Sequence, residues 1–135
     1  MSVKSPLLTD PQPSNDDALS RAVKPRIYAH RGSTLLAPEN TLYAFNLATD
    51  HGADVLETDV RISRDNEVIV THDEKLDRTT NGIGAVRAHN RLHLASLDAG
   101  YRTKSIHGQR FRGVGIKLLT LGCLLYTSPS PRDRG

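Results

Sequence analysis

Residues 56–73 read LETDVRISRDNEVIVTHD, and most of this is strand material. Glu57 and Asp59 nevertheless stand two apart in the first half, and His72 and Asp73 close the second. In a strand, residues i and i+2 point to the same face, roughly 6.6–6.8 Å apart. Two like charges on one face of a buried sheet are costly unless something positive lies between them. A divalent cation answers that need, because carboxylate oxygens bind Mg²⁺ or Ca²⁺ at roughly 2.0–2.6 Å. A solvated face, as on an antiparallel sheet with one wet side, answers it equally well. The neighbours decide between them.

The chain has 135 residues, 37% of them hydrophobic and 24% charged, the composition of a folded domain or part of one. No apolar run has the length of a membrane span. MSVKSPLLTD at the start lacks the apolar core of a secretory signal, so the default location is cytoplasmic, without stable membrane insertion. The net charge of +3 is mild, and only four Tyr and two Phe are present. A nucleic-acid surface is not expected. The sequence leaves the oligomeric state open.

Residues 1–24 are a polar lead-in containing PQPSNDD and are read as an N-terminal extension. The end, CLLYTSPSPRDRG, is rich in Ser and Pro and holds the single cysteine, Cys123. Cys123 to Asp133 resemble a translated sequencing-library adapter, so residues 123–135 are expected to be non-native and to cap no element. Residues 25–122 are then the domain to interpret.

After Pro25, the run Arg26-Ile27-Tyr28-Ala29 is strand-like and stops at His30-Arg31-Gly32. Asn40 or Thr41 can cap a helix in which Ala44, Phe45, Leu47 and Ala48 recur at helical spacing, with Gly52 as its stop. Residues 55–62 read as a second strand. Asp65-Asn66 make a tight turn, and residues 67–71 return as a strand. Strand, helix, strand implies a right-handed βαβ unit with a parallel sheet, here with a hairpin arm. Residues 74–115 are turn-rich and read as an irregular excursion, and residues 116–121 (IKLLTL) can begin another element. Gly82-Ile83-Gly84 lacks the third glycine of a dinucleotide fingerprint and is read as a turn.

His30-Arg31, the Glu57/Asp59 pair and His72 all fall at strand ends. In βα folds the C-terminal side of the sheet hosts the chemistry. Two histidines, a cation held by carboxylates and an arginine suit hydrolysis of a phosphate ester. The metal polarises a phosphoryl oxygen, arginine grips the phosphate, and the histidines exchange protons with nucleophile and leaving group. Asp73 can orient His72 or cap the next turn. Glu39 can serve the helix N-terminus or the site. Arg78 with Thr79-Thr80 can rest near the site or be structural. Asp54 is read as a turn residue. His89 and His93, four apart, lack a third ligand and are read as solvated. His51 and His107 are read as surface residues.

The ordered set HRG (30–32), PENT (38–41), GAD (52–54), LETDV (56–60), HD (72–73), LDRTTNG (76–82) and LDAG (97–100) resembles the glycerophosphodiester phosphodiesterase family. FRGVGIKLLTL continues the likeness, with Lys117 where a proline is usual. The resemblance implies an α/β fold, the N-terminal part of a (β/α)₈ TIM-type barrel with a small insertion, truncated here; residues 74–115 fall largely in that insertion. It implies His30 and His72 as the catalytic pair, Glu57 and Asp59 as metal ligands, and Arg31 as the phosphate contact. The cofactor implied is Mg²⁺ or Ca²⁺. The substrate implied is a small glycerophosphodiester, cleaved to glycerol 3-phosphate and an alcohol. A third acidic ligand and a lysine are expected on a later strand, beyond this chain, so the 135 residues alone are expected to fold poorly and to be inactive. The alternatives are a related phospholipase D-like or phosphoinositide-cleaving barrel, or a non-catalytic phosphodiester-binding fragment.

Overall fold

The computed structural model describes residues 25–127; the expected extension at 1–24 and the end of the expected tail lie outside them. The first strand, β1 (Tyr28–His30), lies two residues later than Arg26 and includes His30 itself. Helix α1 (Leu42–Asp50) follows. Thr41 is its cap: the hydroxyl accepts from the Ala44 amide at 3.2 Å and donates to the Pro38 carbonyl at 2.6 Å, satisfying one of the orphan amides of the first turn. Gly52, at φ +91°, turns the chain out of α1 in the left-handed conformation that suits glycine. Strand β2 (Val55–Glu57) then pairs parallel with β1, with Tyr28 beside Val55, Ala29 beside Leu56 and His30 beside Glu57. Strand, helix and parallel strand are as the sequence predicts.

The second strand is shorter than expected. Residues 55–62 are not continuous: β2 ends at Glu57, and β3 (Val60–Ile62) belongs to another sheet, antiparallel to β4 (Val68–Val70). The break at Thr58-Asp59 hands the chain from one partner to another. Alternating residues such as VLETDVRI carry no mark of such a change, because the period of two continues across it. The turn between β3 and β4 is the one expected. Asn66 takes φ +62°, and the Ser63 hydroxyl accepts from the Glu67 amide at 2.9 Å.

Residues 74–118 are mostly turns, but they also hold a 3₁₀ turn (Val86–Ala88) and the helix α2 (Arg91–Ser96), capped by the Asn90 side chain on the His93 amide at 2.9 Å. The chain then returns along β4, where the Val70 amide donates to the Leu119 carbonyl at 2.8 Å, and enters α3 (Leu121–Thr127). The expected boundary after Gly122 therefore falls inside a helix, whose Leu124 is buried.

Two apolar clusters hold these pieces. In one, Ile69, Leu76, Val86, Leu94, Leu97, Ala99 and Leu118 pack together. In the other, Phe45, Val70 and Leu124 meet Leu42, Leu56, Leu119 and Leu121. Adjacent residues of β4, Ile69 and Val70, face opposite sides as a strand requires, so this one strand feeds both clusters. Burying a side chain such as Phe45 contributes about 1.5–3 kcal/mol. Among the described residues no helix is long and apolar enough to cross a membrane.

Candidate active site

The HRG turn is built by close approach. A Cβ on Gly32 would sit 2.8 Å from the Ala44 carbonyl carbon and Cβ, and Gly32 has φ +87°. Arg31 just before it is also left-handed, at φ +58°, a conformation that costs a non-glycine residue roughly 1–2 kcal/mol. The Arg31 amide donates to the Glu57 carbonyl at 3.0 Å, extending the β1–β2 ladder by one rung, and the Arg31 carbonyl accepts from the Asn40 amide at 2.9 Å. The loop 31–40 is thereby closed over the strand ends, and Arg31 is aimed at Asp59: its Nε lies 3.1 Å from Oδ2. That approach is misaligned for a hydrogen bond, which leaves the buried Nε without one.

His30 and Glu57 are neighbours across the parallel ladder, with Nε2 3.7 Å from Oε2. Glu57 Oε2 is shielded from solvent yet has no hydrogen-bond partner, although the side chain as a whole is 41% exposed. A lone carboxylate oxygen of this kind suits an oxygen-seeking dication. Asp59 differs: its Oδ2 also accepts from the Asn40 side-chain amide at 3.2 Å. The two carboxylates thus fit a divalent ion in part, Glu57 with an oxygen that accepts no hydrogen bond and Asp59 with one already shared. Among the described residues, no group of three or more His, Cys, Asp or Glu is gathered to hold a metal.

His72 follows β4, and its Nδ1 lies 2.8 Å from Asp73 Oδ1. Arg78 binds Asp73 with two nitrogens, Nε to Oδ2 at 2.7 Å and Nη2 to Oδ1 at 3.0 Å. The same guanidinium donates to Glu39, from Nη2 to Oε1 at 2.6 Å and from Nη1 to Oε2 at 3.2 Å. Hydrogen bonds from Arg78, and secondly from His72, hold the Asp73 carboxyl well below the usual carboxylate range. Asp73, and then Glu39, raise the Arg78 guanidinium above its ordinary value. Glu39 Oε1 is also 3.6 Å from Arg31 Nη1.

The structure therefore brings His30, Arg31, Glu57 and Asp59 together at the ends of β1 and β2. His72 stands at the end of the hairpin and reaches the same loops through Asp73, Arg78 and Glu39. Of three further contributors, the sequence offers Asn40 only as a helix cap and leaves Glu39 and Arg78 open between the site and a structural use. Asn40 is not the helix cap; it spans Asp59 and Thr58, whose hydroxyl donates to Asn40 Oδ1 at 2.9 Å. Two cap-type residues in succession, Asn40 and Thr41, were the available signal, since one cap suffices. Glu39 and Arg78 lie 39 residues apart, a pairing with no local signature. Asp54 does more than turn the chain, accepting the Ile27 amide at 2.8 Å. His89 and His93 stack with centroids 4.6 Å apart, and His51 and His107 are exposed.

Comparison with known proteins shows the family and the fold. The model of the glycerophosphoryl diester phosphodiesterase family matches residues 30–126. A glycerophosphodiester phosphodiesterase of Caldanaerobacter subterraneus is 41% identical over 97 residues, covering 72% of this chain and 38% of that protein. The crystal structure of a glycerophosphodiester phosphodiesterase from Agrobacterium tumefaciens superposes with a TM-score of 0.67 at 40% identity, covering 76% of this chain and 42% of its own. An Oleispira antarctica phosphodiesterase, solved with sn-glycerol-3-phosphate, gives a TM-score of 0.63 at 36% identity, covering 76% and 39%. The chain thus spans well under half the length of these relatives, and its α/β fold is that part of their (β/α)₈ barrel. The chain belongs to the glycerophosphoryl diester phosphodiesterase family.

Proposed function

We propose that the protein carrying this chain hydrolyses small glycerophosphodiesters to glycerol 3-phosphate and an alcohol. The observation that carries the reading is His30 set against Glu57 at the joined ends of two parallel strands, in a chain of this family. The product in the Oleispira complex, sn-glycerol-3-phosphate, is of the expected class.

In this reading Arg31 supplies the planar, permanently charged group that pairs with phosphate oxygens. Its left-handed backbone and the contact with Asp59 aim it before substrate arrives. His72, donating from Nδ1 to Asp73, has Nε2 available to accept a proton from the attacking hydroxyl as the new O–P bond forms. His30 donates a proton to the alcohol oxygen as the old P–O bond breaks, and water reverses the exchange in a second stage. Glu57 and Asp59 would hold Mg²⁺ or Ca²⁺, which when bound supplies polarisation of a phosphoryl oxygen. Asn40 keeps Asp59 turned toward Arg31.

The test is ³¹P NMR of glycerophosphocholine and glycerophosphoethanolamine incubated with the whole protein, with Mg²⁺, with Ca²⁺ and with chelator. Release of glycerol 3-phosphate that chelator abolishes, and that His30→Ala and His72→Ala each reduce by about 10²–10⁴-fold, is expected. Calorimetric titration of either cation should weaken in Glu57→Gln. Unchanged turnover in both histidine variants would overturn the reading.

A further inference from the structure

The guanidinium of Arg78 touches two acidic side chains that come from opposite parts of the fold. We infer that Arg78 is a positioning residue: by gripping Asp73 and Glu39 at once, it fixes the ring orientation and tautomer of His72 and ties that ring to the loop that carries Arg31. The inference rests on the role proposed above for His72.

The argument starts from donor and acceptor chemistry. An ionised carboxylate only accepts hydrogen bonds, so a 2.8 Å contact between Asp73 Oδ1 and His72 Nδ1 puts the ring proton on Nδ1. Nε2 is then the basic nitrogen, the arrangement a proton acceptor needs. That contact holds only while Asp73 stays ionised and stays turned toward the ring. Asp73 could otherwise rotate toward solvent, since its side chain is 27% exposed. The two-pronged grip of Arg78, at 2.7 and 3.0 Å, removes that freedom, and a fork fixes a carboxylate plane in a way a single ammonium cannot. The lowered titration of Asp73 has the same cause.

Arg78 is itself positioned from the other side. Glu39, only 17% exposed, accepts from Nη1 and Nη2 and stands next to Asn40, which holds Asp59. The guanidinium thus spans two carboxylates. One joined to His72 and the other beside Arg31, they connect the proton-transfer group to the phosphate contact. The His72 carbonyl is pinned separately, by Arg61 Nε at 2.8 Å, so Arg78 governs the ring and not the backbone.

The test combines ring ¹⁵N shifts of His72 with kinetics, in this chain or in the longer protein if it is part of one. In the wild type, Nδ1 should carry the protonated signature and Nε2 the unprotonated one at neutral pH. Arg78→Ala should average the two shifts and lower kcat by about 10–100-fold, with KM changed less than about 3-fold. Arg78→Lys, which keeps the charge but not the fork, should recover only part of kcat. Asp73→Asn, nearly isosteric, should shift the ring signature even if Arg78→Ala unfolds. An unchanged ring signature in both variants, or a loss of thermal stability with kcat intact, overturns the inference. Should the wild type cleave no glycerophosphodiester while its ring shifts respond as described, the proposed function falls and the clamp stands.

Discussion

The two sides of β4 are held in different ways. On one side, the hairpin and residues 74–118 enclose seven buried apolar residues of their own. On the other, Phe45 of α1 and Leu124 of α3 meet Val70 of β4, with Leu56 of β2 packed against them, while Ile27 and Tyr28 at the β1 edge are 57% and 63% exposed. The first region is closed by contacts within itself. The second depends on a few large side chains. The candidate chemistry lies on the seam, with His30, Arg31, Glu57 and Asp59 from the sparsely covered side and Arg78 from the densely packed one. What this teaches is that the aim of the site and the stability of the chain have different sources.

Truncating one side chain in each cluster tests that division most severely. Phe45→Ala should cost about 3–5 kcal/mol and Leu94→Ala about 2–5 kcal/mol. If the regions open separately, hydrogen exchange will show Phe45→Ala exposing the amides of α1 and β2 and leaving the Leu76 and Ala99 amides protected. Loss of protection throughout would mean a single cooperative unit, and the comparison would fail.

A smaller change sharpens the same contrast. Thr41→Ala removes the cap of α1 and should cost about 1 kcal/mol, read as a shift of the unfolding midpoint, without moving the amides of residues 86–99. An equal effect on both regions would count against the division.

The smallest expected effect is acidic. Asp73 titrates below its ordinary 3.8 in the folded chain. A group whose folded value is depressed binds fewer protons folded than unfolded, so it stabilises above about pH 4, and the contribution fades as the pH falls below that. Circular dichroism between pH 5 and 2 should show Asp73→Asn losing less of its stability over this window than the wild type. Parallel acid curves for the two proteins would show that the contacts of Asp73 with Arg78 and His72 add no stability.

Local chemistry made part of this legible. The cap-to-stop run from Thr41 to Gly52 announces α1, and Asp65-Asn66 announces the hairpin. The change of sheet at Thr58-Asp59 was not legible, because alternation survives a change of partner. Helix α2 was obscured by its shortness and by His93 within it, although Asn90 stood ready as its cap. In the site, each of His30, Arg31, Glu57, Asp59 and His72 drew attention through its own residue type and position at a strand end. Glu39, Asn40 and Arg78 act through long-range geometry, and residues 39 apart leave no trace of one another in a window of sequence.

The alternation of Ile69 and Val70 also sets where the chain tolerates changes of length. One residue added between Ser63 and Glu67 would slip β4 by one place, exchange the side chains offered to the two clusters, and turn His72 away from its present face. The turn at Asn66 is in that sense a ruler, and its length is as constrained as any side chain in the site. The turn around Gly108, exposed from Ile106 to Arg110 and ending before the buried Phe111, carries no such burden. Insertions there would lengthen the surface and leave the register of the site untouched.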